Sequence, residues 1–298
     1  MSLHEPEIHP TTTPCEEPIT AELCKICGSS GYRREYDLGT WKFNERTASD
    51  VSIVRCLGCG IRRTTPSPRP NYGVRYDNDY SSQGLKFLPF YLDHIRTLLG
   101  LKYQEVAHGI FPKGAQILDY GCSTGVFLKL VSSMGFEAIG FDISEEAAER
   151  CRNDGLAALS GDFFGQVFEA GMFDVIHCSH VIEHVDDPPV YLTRFHDLLR
   201  SEGHLLLSCP NYASLGRLSK GPDWRGWDPD CHLWHFTLRQ MCRLLETTGF
   251  QVVRVTTIDG NVPNSRLKRK ALDVMASLRF GDCMMIIATP SKESSQLS

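Results

Sequence analysis

Four stretches of this 298-residue chain carry residue types at spacings that do chemistry. Cys24 and Cys27 in "CKICG" and Cys56 and Cys59 in "CLGCG" form two matched Cys-x-x-Cys-Gly units. Four thiolates suit a tetrahedral Zn²⁺, and a site filled entirely by protein leaves no position for water, so the expected zinc is structural. Four buried or redox cysteines are the alternative. In "ILDYGCSTGVF" (117–127) the small residues Gly121, Ser123 and Gly125 bare a backbone where a strand turns into a helix, as nucleotide and cofactor sites require. A dinucleotide fingerprint needs glycines at 121, 123 and 126; Ser123 and Val126 stand there, so an NAD reading fails twice. "HVIEH" sets His180, Glu183 and His184 at i, i+3 and i+4, on one face if the segment is helical. "CHLWHFT" adds His232 and His235, and a histidine titrating near neutrality is a suitable proton acceptor.

These groups need a scaffold, and the apolar pattern supplies one. Short apolar runs bounded by turn residues predict strands at 116–120, 137–141, 156–159, 173–178, 203–209, 251–258 and 283–289. Helical stretches fall at 124–134, 145–154, 187–200 and 237–248. The alternation implies an α/β fold, a Rossmann-like, doubly wound, mostly parallel seven-stranded sheet. The glycine turn then comes after the first strand and "HVIEH" after the fourth. Ahead of the sheet we expect a disordered tail (1–22), a small zinc ribbon (23–70) whose metal replaces a core too small to fold alone, and a helical, tyrosine-rich segment (71–112). The α/β domain spans 113–290, and 291–298 is a tail.

The whole chain restricts partners. Its formal charge is -5 with 42% apolar and 22% charged residues, which gives no global field for nucleic acid or an anionic membrane. The basic run Arg266 to Lys270 reads as a solvated helix face. No apolar run reaches the roughly 18 residues of a membrane span, and the first 22 residues lack the pattern of a signal peptide. Twelve cysteines in a chain long enough to build its own core imply a reducing, cytoplasmic setting rather than a disulfide scaffold.

The spacing Asp119-x-Gly121-x-Ser123-x-Gly125 resembles motif I of class I methyltransferases that use S-adenosylmethionine, with Ser123 in place of the usual middle glycine. Three further matches come in order: Asp142 at the end of the second strand, Asp162 and Phe163 after the third, and "FDVIHCSHVIEHVDDP" with Asp174 opening the fourth. The resemblance covers roughly 116–289. It implies that Asp142 binds both ribose hydroxyls, with Ile143 beside it, although Asp142 also stands where a helix N-cap belongs. It implies further that Asp162 and Phe163 meet the adenine, and that Asp119, Gly121, Ser123, Gly125 and Ser179 complete the cofactor site.

"HVIEH" also satisfies the pattern of inverted zinc peptidases, but "DDPP" cuts it short at a strand end. It is closer to small-RNA 2′-O-methyltransferases and ubiquinone-pathway O-methyltransferases. Some of these hold a divalent metal with an acidic residue and Glu-His, and here His180 replaces their first acid. The segment "GPDWRGWDPDCHLWHFT" (221–237) resembles the acceptor region of sugar C-methyltransferases, which also carry a paired Cys-x-x-Cys module. Cys231 stands where they have an acid, and their large C-terminal domain has no counterpart.

On this resemblance His232 is the first choice of base and His180 the second, with Tyr80, Trp224 and His235 contacting the acceptor. Tyr76 is a neighbour that closes over the site or packs in the core. The expected activity is methyl transfer to a hydroxyl or carbon of a small acceptor, sugar-containing or another secondary metabolite, such as a nucleotide sugar or glycan. RNA 2′-O-methylation and a non-catalytic zinc-bearing binding module are the rivals.

Overall fold

A computed structural model of the chain describes residues 18–20, 23–43, 46–68, 114–258 and 278–292. Tyr76, Tyr80, the helical stretch 85–108 and the basic run 266–270 lie outside these. The larger sheet is built from β5 (Gln116–Tyr120), β6 (Glu137–Asp142), β7 (Ala157–Ser160), β8 (Phe173–Ser179), β9 (Leu199–Pro210), β11 (Phe250–Ile258) and β12 (Cys283–Pro290). Its spatial order is β11-β12-β9-β8-β5-β6-β7. The pairs β5·β6, β5·β8, β6·β7 and β8·β9 are parallel, while β12 runs antiparallel to both β9 and β11. This is the mostly parallel seven-stranded sheet expected from the sequence. Strand order reverses between β6 and β8 around β5, so the crevice of the sheet opens where the glycine turn leaves β5.

Local sequence explains the helices. α1 (Val126–Ser133) comes directly after the glycine turn and buries Phe127, Leu128 and Val131. α2 (Glu145–Asn153) starts at Ser144, whose hydroxyl accepts from Ala147 N, with Glu145 and Glu146 in its first turn and Arg150 and Arg152 in its last. α3 (Pro188–Leu198) begins on two prolines, which fit a first turn whose N–H groups lack partners anyway. After the short α4 (Leu215–Lys220), α5 (Leu238–Thr247) opens with a reciprocal Thr237–Gln240 capping box and buries Leu238, Met241, Leu244 and Leu245. "HVIEH" departs from the helical reading. It is a turn, closed by His184 N donating to Val181 O at 2.9 Å, because the helix waits for Pro188.

The cysteine units belong to a second sheet. β1 (Pro18–Thr20), β2 (Gly31–Phe43), β3 (Arg46–Cys56) and β4 (Arg62–Thr65) pair antiparallel in that order, and β1 lies inside the stretch expected as tail. The fifth member, β10 (Trp234–His235), comes from the larger domain, with Trp234 opposite Arg63 and His235 opposite Arg62. The module thus shares its sheet with a strand of the larger domain. Side chains alternate along β3: Val54 and Cys56 join the main core with Leu118, Ile176 and Trp234, while Val51 and Ile53 pack with Tyr212, Trp224 and Trp227. Burying one such indole removes roughly 200 Å² from water, on the order of 5 kcal/mol as an upper estimate. The module and the domain share a core.

Candidate active site

Gly121, Ser123 and Gly125 all hold positive φ, at 80°, 49° and 71°. A Cβ on Gly121 would lie 2.2 Å from Val181 Cγ2, and one on Gly125 would meet Leu156 and Cys151 below 3 Å. The turn is thus compressed by the protein itself as well as opened to a ligand. Ser123 keeps a left-handed backbone without being glycine, at some cost in strain. Its hydroxyl oxygen is buried with no hydrogen-bond partner, while its N–H donates to Asp142 Oδ2 at 2.9 Å.

Asp142, buried at the end of β6, also accepts from Ser144 N at 3.0 Å. Ser144, not Asp142, caps α2, which releases Asp142 from the capping role. Each carboxylate oxygen takes one backbone amide, and a carboxylate oxygen can accept twice. Ile143 next to it is 60% exposed, an apolar surface at the strand end. Asp119 is buried inside the sheet, its Oδ1 2.7 Å from His177 Nδ1, and the His177 ring stacks on Phe127. Phe163 lies in the main core against Tyr120 and Phe141. Its neighbour Phe164, 43% exposed and edge-on to Tyr191, carries the aromatic surface outward. Asp162 is exposed and turns the chain by accepting from Phe164 N. Ser179 Oγ lies 2.6 Å from Ser208 Oγ on β9.

Histidines gather around one buried carboxylate beyond β8. Glu183 is 1% exposed, and neither carboxylate oxygen has a hydrogen bond. Its Oε1 lies 3.3 Å from His180 Nδ1, an ion-pair contact without hydrogen-bond alignment, and 3.9 Å from His232 Nε2. Burial alone would raise its pKa, but His180, His184 and His232 outweigh that and hold it at about 2. The His184 and His232 rings meet edge-on at 4.8 Å. His232 Nδ1 is 3.0 Å from Gly226 O, and a carbonyl only accepts, so the neutral ring carries its proton on Nδ1. Nε2 then presents a lone pair toward Glu183. His180 has φ 55°, is half exposed, and its Nε2 lies 3.5 Å from Cys283 Sγ.

The structure brings His232 to "HVIEH", with His235 in electrostatic reach of both Glu183 and His232. Trp224 is buried, donating from Nε1 to Asp282 Oδ1 at 3.1 Å, and Trp227 donates to Gly221 O at 2.9 Å. His235 is buried with Nε2 2.9 Å from Thr64 Oγ1, and burial first of all lowers its pKa to about 3. The tryptophan loop packs against β3. Sequence reasoning missed Thr64 and the Glu183 carbonyl, which accepts from Leu233 and Trp234 N–H at 2.9 and 3.0 Å. Only the aromatic alternation around His232 hinted at a strand there.

At the other end, the Cys24, Cys27, Cys56 and Cys59 sulfurs all lie within 4.8 Å of one another. Cys24–Cys59 and Cys27–Cys56 are 3.8 and 3.6 Å apart. Bonds of about 2.3 Å in a zinc tetrathiolate place the sulfurs about 3.8 Å apart, so the donor set fits that ion.

A family model described as a methyltransferase domain matches residues 91–255, more than half of the chain. The chain belongs to that family. Its family is that of the class I methyltransferases that use S-adenosylmethionine. Among curated relatives, the ubiquinone biosynthesis O-methyltransferase of Xanthomonas axonopodis pv. citri is 28% identical over 124 residues, 39% of this chain and 52% of the relative. That of Actinobacillus pleuropneumoniae serotype 5b is 32% identical over 130 residues, 40% of this chain and 55% of the relative. This methyltransferase therefore spans about half the length of the curated relatives it matches. A methyltransferase structure from Archaeoglobus fulgidus aligns with TM-score 0.52 at 19% identity, covering 74% of this chain and all of that one. A chain from the complex of the Haloferax volcanii Trm112 methyltransferase activator with a methyltransferase aligns at 0.57 and 16%, covering 76% and 100%. Both show the shared fold. Among the described residues of this methyltransferase, no helix is long and apolar enough to cross a membrane.

Proposed function

We propose that this methyltransferase methylates a hydroxyl of a small acceptor, a nucleotide sugar or other sugar-containing metabolite, with His232 removing the proton. The observation that carries this is His232 Nε2 facing the buried Glu183 carboxylate at 3.9 Å. With Nδ1–H held by Gly226 O, Nε2 is the atom left to take the acceptor's proton, and Glu183 stabilises the ring that carries it. The cofactor lies against the Gly121–Gly125 turn, which fits it: the backbone is bared, and the Ser123 hydroxyl lacks a partner. Asp142 takes the ribose hydroxyls, Ile143 and Phe164 offer apolar surface to the adenine, and Ser179 borders the methionine end. When bound, the cofactor supplies an activated methyl group on a sulfonium. The protein's work is to align the acceptor oxygen and to take its proton.

Hydroxyl rather than carbon methylation agrees with what the ubiquinone-pathway relatives are named for. Cys24, Cys27, Cys56 and Cys59 hold one structural zinc, leaving no ligand position for substrate. The test is transfer of a labelled methyl group from S-adenosylmethionine to a panel of nucleotide sugars, quinols and RNA, with and without a chelator. Label on a nucleotide sugar, insensitive to chelator, supports the proposal, and label on RNA alone overturns the acceptor class. Chelator-sensitive turnover with the ribbon zinc retained would hand His180, Glu183 and His184 to a divalent cation and remove His232 as base.

A further inference from the structure

Thr64, fully buried on β4, is where the cysteine module reaches the histidine loop. Its N–H donates to Leu233 O at 3.0 Å. Its hydroxyl is 2.6 Å from His232 O and 2.9 Å from His235 Nε2. The direction of these bonds is fixed: the His232 carbonyl can only accept, so the Thr64 proton goes there, and His235 must donate from Nε2–H. A neutral, buried His235 provides that donor. From the opposite side the Glu183 carbonyl receives Leu233 and Trp234 N–H. The peptide that carries His232 is thereby clamped between β4 and the turn that carries Glu183.

We infer that Thr64 is a positioning residue for His232, and that the cysteine module is a working part of the reaction centre through it. The inference rests on the reading of His232 as the base. Main-chain pairing of β4 with β10 already joins Arg62 and Arg63 to His235 and Trp234. The Thr64 side chain adds two hydrogen bonds that the ladder does not need, and one of them ends on the residue bearing the base. Misplacement by about 1 Å at such a group costs on the order of a hundredfold in rate.

The test compares Thr64→Val, which keeps shape and loses both bonds, with Thr64→Ser, which restores the hydroxyl, and with His232→Ala. Turnover is read with the nucleotide sugar labelled in the methyl-transfer screen, and cofactor affinity by calorimetry. The His232 ring is read in nitrogen-labelled protein by NMR, a measurement that needs no acceptor. Thr64→Val is expected to lower kcat by roughly ten- to a hundredfold, leave the S-adenosylmethionine Kd within about twofold, and weaken the Nδ1–H tautomer of His232. Thr64→Ser should recover most of each. Thr64→Val with normal kcat and an unchanged His232 spectrum, while His232→Ala is inactive, overturns the positioning role and leaves the base reading standing. Normal turnover in His232→Ala sinks the base reading itself. Loss of cofactor affinity in parallel with kcat would make Thr64 a general structural residue and also overturn the inference.

Discussion

Asp142 shows how one carboxylate ties two turns together. Its oxygens hold Ser123 N and Ser144 N, so the same side chain shapes the glycine turn and starts α2. Asp142→Ala should weaken S-adenosylmethionine at least tenfold, since each charge-assisted hydrogen bond contributes about 1.5–3 kcal/mol. An unchanged Kd by calorimetry would refute the ribose assignment. Gly121→Ala meets Val181 at a positive φ, and should lower both thermal midpoint and cofactor affinity. At this scale Asp142 was legible because a strand end is defined by local pattern. Thr64 was not, because its partner His232 lies 168 residues away in sequence and a lone threonine in "IRRTT" carries no signal.

Among the elements, the seven strands of the larger sheet were readable from short apolar runs, each within a few residues of its observed bounds. "HVIEH" stays open in the sequence because i, i+4 spacing is satisfied equally well by a helix and by a turn that ends before a proline pair. The two-residue β10 escaped notice since its partner strand supplies the pairing, not its own length. The tryptophan loop resembles an acceptor region, yet its indoles find Gly221 O and Asp282 as acceptors and fill the face of β3. Trp227→Ala should therefore cost about 3–5 kcal/mol in chemical denaturation, as for other buried aromatic truncations. A loss below about 1 kcal/mol would mean that the loop moves freely, as a substrate lid would.

The whole molecule ties the sheet that carries the four-cysteine cluster to the larger, mostly parallel one, and its response to acid depends on the groups between them. His235 has a folded pKa of about 3 against an ordinary 6.5, and Glu183 about 2 against 4.5. Both bind fewer protons folded than unfolded. His235 thus costs stability progressively as pH falls from 6.5 toward 3, and Glu183 loses its contribution as pH falls from 4.5 toward 2. Calorimetric midpoints should decline from about pH 6.5 downward, with His235→Gln flattening the upper part. A midpoint constant from about pH 7 to 4.5 would contradict this. Zinc analysis of purified protein should find one ion per chain, and Cys56→Ser should lose it and destabilise the larger domain too, because Cys56 sits in the common core. The most direct measurement is turnover and cofactor affinity of His232→Ala. The account predicts a fall in kcat of about 10²–10⁴ and an S-adenosylmethionine Kd close to that of the wild type. Near-normal turnover would contradict it.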